Sequence, residues 1–251
     1  MNSTQAKTID EVITMLEDII TVSKEKQDTL GYFAALYQKV TIAVKEGIKE
    51  GRFENGERME RLDVIFANRY LLAYHDYQAS KPVTKSWLKA FLLSKKYWPI
   101  VLQHLLVGMN AHINLDLGIA AAEVSKGENI EDLKNDFDEI NKVLASLVET
   151  VQAELAQIWR PLRWILKLTG RLDNLIVDFS MELARDGAWR FAKDLAETPD
   201  AGWAEAIEKR DEAVANVAKI VIKPGVFLSL MLKFVRLGER GTVAKKIEIL
   251  Q

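Results

Sequence analysis

The chain contains no cysteine. Disulfide frameworks, cysteine nucleophiles and thiolate metal sites are excluded at the outset. Histidine is nearly as scarce: His75, His104 and His112 are the three present, so imidazole can supply at most three ligands to any metal. Five prolines and 13 glycines are too few for an all-β chain with its many turns. An excess of one charge is missing too. The 34 Lys and Arg against 36 Asp and Glu leave a net charge of −2, and no basic stripe is interleaved with aromatics, which argues against nucleic acid as a partner. No segment of useful length alternates with period two. No Gly-x-Ser-x-Gly elbow, phosphate-cradling loop, Rossmann fingerprint or Asp-rich prenyl-transfer motif is found. The segment Met1 to Ile9 lacks the basic start and apolar run of a secretory signal, so the expectation is a cytoplasmic protein.

What is present is helical periodicity throughout. Thr8-Ile9-Asp10-Glu11 reads as a capping box opening a helix to about Lys26. Further helices are expected from about Thr29 to Glu50, after Asn55 to Gln78, and from Thr84 to Lys95. A long apolar helix follows over about 98–124 and stops at Gly127. Asn129 caps the next, expected to run to Leu168 with a kink at Pro161. Then come Arg171 to Glu197, a charged helix from Ala201 to about Lys223, and a tail of one or two short helices. Connections are short and no linker is compositionally biased. The expected architecture is therefore a single all-α multi-helix bundle over 1–251. Its 98–124 helix is central and buried, and its C-terminal helices, about 226–251, are peripheral. The apolar, basic segment Pro224 to Arg240 reads either as a docked terminal helix or as a helix lying on a membrane surface.

Two helices break their own pattern. The 98–124 helix is apolar on every side, as a central helix should be. It nevertheless carries Gln103, His104, Asn110, His112, Asn114 and Asp116. On a straight α-helix His104, His112, Asp116 and Glu123 share one side, and His112 and Asp116, four apart, are direct neighbours. Gly108 on that side leaves room for a ligand or a neighbouring backbone. In the helix from Arg171, a polar stripe with Asn174, Asp178, Glu182, Arg185 and Trp189 runs between two apolar ones. Charges in such a place must be paired or coordinated. A third face carries Asp63, Phe66, Tyr70, Tyr74 and Tyr77, with Asn68 and His75 alongside; these phenols suit a pocket wall.

The strings Leu62-Asp63-Val64-Ile65-Phe66-Ala67-Asn68-Arg69-Tyr70, Met109-Asn110-Ala111-His112-Ile113-Asn114-Leu115-Asp116-Leu117 and Arg185-Asp186-Gly187-Ala188-Trp189 resemble an uncharacterised, mainly bacterial family of helical proteins. That family is defined only as a domain of unknown function. The resemblance spans about Gly31 to Ala192, and Asn-Ala-His-Ile-Asn-x-Asp-Leu is its most specific string. It implies that the three strings belong together and supplies no catalytic residue.

Four readings stay open. In the first, His112 and Asp116 hold a divalent metal such as zinc, iron or manganese, with His104, Asp178, His75, Asp63 or Glu182 as further ligands. The metal then activates water for hydrolysis of a small, largely apolar substrate. The His-x-x-x-Asp pair is loosely similar to those of helical zinc phospholipases and nucleases, whose sites use more histidine than this chain has. In the second, Asp116 orients His112 as a metal-free general acid or base, and Arg185 or Arg69 binds an anionic group of the substrate. In the third, Tyr70, Tyr74, Tyr77 and Trp189 line a small-molecule binding pocket. In the fourth, His112, Asp116 and Arg185 form a satisfied buried network that specifies packing. Across the enzymatic readings the candidate substrate-binding residues are Asp63, Arg69, Tyr70, Tyr74, Asn110, Asn114 and Trp189, and the candidate catalytic residues are His112, Asp116 and Arg185. Homo-oligomerisation through the C-terminal helices is a further expectation.

Overall fold

The computed structural model describes residues 5–159 and 181–251. The protein is 80% helical, with 11 α-helices and no strand among the described residues. In chain order they are α1 (Ile9–Lys26), α2 (Gly31–Lys49), α3 (Gly56–Gln78), α4 (Lys85–Leu93), α5 (Val101–Ala111), α6 (Gly118–Val124), α7 (Lys134–Ile158), α8 (Met181–Glu197), α9 (Trp203–Ile222), α10 (Val226–Gly238) and α11 (Val243–Leu250). Between α5 and α6 the helix does not break but widens into a π-helical segment, His112–Leu117.

The local signals work as the residues suggest. Thr8 accepts a hydrogen bond from the Glu11 amide at 3.2 Å, and Asn55 accepts one from the Arg58 amide at 2.9 Å, each satisfying a free amide of a first turn. Two other helix starts take their caps from far along the chain. Asp211 of α9 accepts from the Lys85 and Ser86 amides at 2.6 and 2.9 Å and so caps α4. Glu239 accepts from the Val101 amide at 2.8 Å and so caps α5.

The run Val101–Val124 is long and apolar enough to cross a membrane, yet 89% of its most apolar stretch is buried inside the protein. It packs against α2, α4 and α9 through α5, and against α3 and α8 through α6. Close approach explains one glycine there. A Cβ at Gly118 would stand 2.8 Å from the Ala188 carbonyl oxygen, so a bare backbone is what lets α6 touch α8.

Two expectations are corrected. The helix after Asn129 ends at Ile158, and Trp159 is already extended (φ −142°, ψ 93°); the kink expected at Pro161 lies outside the described residues. The beginning of the Arg171 helix also lies outside them. The C-terminal helices are not simply peripheral: Ile247 and Leu250 are fully buried, and α11 packs on α1, α2 and α7. Lys246, itself buried, reaches Glu239 at 3.0 Å and fixes the carboxylate that caps α5. Only α10 stays largely superficial, with Val226, Leu230, Phe234 and Leu237 exposed.

Candidate functional site

The site grows out of the π-helical turn. His112 is 2% exposed, and its ring is clamped by aromatics. Phe66 of α3 stacks on it almost parallel, with centroids 3.6 Å apart, and Tyr37 of α2 meets it edge-on at 4.4 Å. Its Nδ1 lies 3.2 Å from Asp116 Oδ2. Asp116 is as deeply buried and spends both oxygens: Oδ2 also accepts from Trp87 Nε1 at 2.8 Å, and Oδ1 accepts from Arg69 Nε at 2.8 Å. Burial alone would raise the Asp116 pKa. The Arg69 charge and the hydrogen bonds from His112 and Trp87 outweigh burial and hold it below the usual carboxylate range.

An ionised carboxylate only accepts, so the hydrogen between the pair sits on His112 Nδ1. Burial lowers the His112 pKa below its ordinary value despite the opposing pull of Asp116. The ring is therefore neutral at pH 7 and its Nε2 carries a lone pair. That atom is buried and has no hydrogen-bond partner among the described residues.

His112 borders a cavity of about 430 Å³ whose wall is made chiefly by aliphatic and aromatic side chains of α2, α3, α5 and α7. Four further polar groups line it: Tyr37, Asp63, Gln152 and Arg185. Among the described residues the Tyr37 hydroxyl, Asp63 Oδ2 and Arg185 Nε also lack hydrogen-bond partners. Burial, and then the charge of Glu60, pushes the Asp63 pKa up to about 7. Burial, and then the carboxylates Asp63 and Asp116, pushes the Tyr37 phenol well above its ordinary value. Polar atoms buried without partners are rare in folded proteins. Four such atoms, unpartnered among the described residues, belong to side chains that line this one apolar cavity.

Asp116 does not itself line this cavity. With Arg69, Trp87 and Asp211 it borders a second, more open cleft of about 520 Å³. The His112–Asp116 pair thus forms the wall between an apolar chamber and a more polar, more open one.

The other sequence-derived candidates are placed as follows. Asn110 donates to the Val214 carbonyl at 3.0 Å and Asn114 donates to Asn110 at 3.2 Å, so both face α9 rather than the cavity. Tyr70 is buried against Phe33 and Trp87, and Tyr74 lies beyond it, so neither lines the cavity. Trp189 packs on Phe137 at 4.9 Å, away from the cavity wall. His104 is two turns before His112, edge-on to Tyr32 at 5.6 Å. Burial and the charges of Arg236 and Lys246 lower its pKa to about 3. Of the four residues offered as metal ligands, His112 and Asp116 lie side by side with both Asp116 oxygens engaged, His104 sits apart, and Asp178 lies outside the described residues. No group of three or more metal-ligating side chains occurs among the described residues. The space expected at Gly108 is filled by the Phe33 ring, 2.6 Å from where a Cβ would stand.

A family model, "Family of unknown function (DUF5995)", matches residues 9–224. The chain belongs to this family. No curated protein and no solved structure matches it. The DUF5995 match takes in α1 to α9, and with them every residue that lines the cavity, whereas α10 and α11 lie beyond it. Within the DUF5995 region, reasoning from residues alone missed Tyr37 and Trp87. Both read as core aromatics; the bond from Trp87 to Asp116 and the unpartnered Tyr37 hydroxyl, each seen only in the structure, disclose their polar roles.

Proposed function

We propose that the chain is an acid–base enzyme acting on a small, largely apolar molecule held in the α2/α3/α5/α7 cavity. The observation that carries this reading is the set of four polar atoms, unpartnered among the described residues, on an otherwise apolar wall. His112 Nε2 is the general base. It takes a proton from the bound molecule or from a water held beside it, and the resulting imidazolium keeps its Nδ1–H on ionised Asp116. Asp116 touches no ligand in the cavity; it is a positioning residue that fixes the tautomer and stabilises the positive ring. Asp63, with a pKa near 7, holds a proton part of the time at neutral pH and can return one where negative charge develops. Tyr37 stays protonated and offers a hydrogen bond beside it.

Between the metal-dependent and metal-free alternatives, the surroundings of Asp116 favour the second. A metal ion there would have to displace Arg69 or Trp87 from a carboxylate that both already hold at 2.8 Å, and would sit beside a guanidinium.

The test is turnover, followed by mass spectrometry across aliphatic and isoprenoid esters, alcohols and ketones. For any compound that is processed, His112→Asn keeps the helix content of the wild type and lowers turnover by ~100-fold or more, the usual contribution of a positioned base. Equal turnover by the variant would remove His112 from the chemistry.

A further inference from the structure

The acid–base reading leaves one charge in the cavity unused. Arg185 of α8 lines the wall and is 2% exposed. Its Nη2 donates to the Phe137 carbonyl and its guanidinium lies 4.9 Å from the centroid of the Phe137 ring. Its Nε has no partner, and no carboxylate forms an ion pair with it, among the described residues. The acids that act on it from a distance, Asp138 and Asp186, are both exposed, and Asp138 is paired with Lys134. Burial pulls the Arg185 pKa down to about 10, which still leaves it cationic at neutral pH. Among the described residues, one carbonyl and one ring face are weak compensation for a guanidinium removed from water. An anion held in the cavity would supply further compensation.

We infer that the cavity's ligand is a monoanionic amphiphile, an aliphatic or isoprenoid carboxylate whose head group is met by Arg185. A single buried cation matches a single negative charge, and a carboxylate can accept from the Nε–H that is left over. The hydrocarbon part lies against Leu102, Leu105, Leu106, Leu144 and Leu147, which line the same wall. The inference rests on the reading of this cavity as a ligand site, and it adds that the ligand carries an anionic end in addition to the group that faces His112.

Octanoate and octanol separate the two claims, because they share a chain and differ in the head group. By calorimetry at neutral pH the wild type binds octanoate ~10-fold or more tightly than octanol, the size of one charge-assisted hydrogen bond in a buried site. Arg185→Gln keeps a donor for the Phe137 carbonyl. It binds octanol as the wild type does and binds octanoate no better than octanol. If the wild type binds octanol but binds octanoate no tighter, the role given to Arg185 is wrong and the cavity reading stands. If it binds neither, the cavity reading falls and this inference with it. The comparison on the wild type holds even if Arg185→Gln fails to fold.

Discussion

Asp116→Ala should be the most damaging single substitution in the site, lowering stability by about 3–5 kcal/mol, the range for breaking a buried charged network. Three groups lose their acceptor together: the Trp87 indole N–H, His112 Nδ1 and Arg69 Nε. Trp87 and His112 are almost fully buried and have no water to turn to. Arg69 is different, with about a quarter of its side chain exposed (26%), so it recovers part of its hydration. The expected order of cost is therefore Asp116→Ala, then Asp116→Asn, then Arg69→Gln. Asn keeps one acceptor oxygen but turns an NH2 toward a donor, at about 1–3 kcal/mol for the polar group left unsatisfied. Denaturant midpoints at constant slope measure the series. Asp116→Ala within about 1 kcal/mol of the wild type, the net worth of a single ordinary hydrogen bond, would mean that the three donors do not depend on this carboxylate.

Asp63 gives the second large effect, and it appears as a pH dependence. Its folded pKa, about 7, lies above the ordinary 3.8. Between those values the folded protein keeps a proton that the unfolded chain has released. Stability therefore falls as pH rises through this window, and the full penalty is present above the folded pKa. For a shift of this size the penalty is on the order of a few kcal/mol. Asp63→Asn removes it. The variant should match the wild type in acid, where both carry a neutral group, and exceed it at alkaline pH. The two histidines act in the opposite sense. His104 and His112 are buried with lowered pKa values, so each weakens the fold as pH drops below the ordinary imidazole value of 6.5. The difference between variant and wild type isolates Asp63 from that background. Parallel pH curves would show that Asp63 is not an unpaired buried carboxyl.

The helical class, the burial of the central helix and the pairing of His112 with Asp116 were legible because each depends on residues close in sequence. Thr8 and Asn55 cap their own helices, so their boundaries could be read. The caps on α4 and α5 could not, because Asp211 and Glu239 lie 126 and 138 residues from the amides they satisfy. Asp211 sits inside a charge run that looks like a solvated face, and it is buried. The π-helical turn was equally hidden. Its i→i+5 pattern rotates everything after His112 relative to a straight α-helix. Glu123, which shares a side with His112 on a regular wheel, consequently ends up exposed. Tyr37 was missed because an aromatic at helical spacing reads as core. What sets it apart is a hydroxyl without a partner among the described residues, next to a carboxyl from another helix. Tyr70 and Tyr74, favoured for their polar handles, turn toward Trp87 and His75 instead.

The central claim is that a neutral His112, held by Asp116 through Nδ1, presents a basic Nε2 to a ligand cavity. Nitrogen-15 NMR of the His112 ring, recorded at neutral pH with and without octanol, tests it directly. The account predicts a protonated Nδ1, an unprotonated Nε2, and an Nε2 resonance that moves as the octanol hydroxyl takes up its lone pair, while Nδ1 stays on Asp116. A hydrogen found on Nε2, or an Nε2 signal unchanged at saturating octanol, would contradict it and leave His112 as a packing residue.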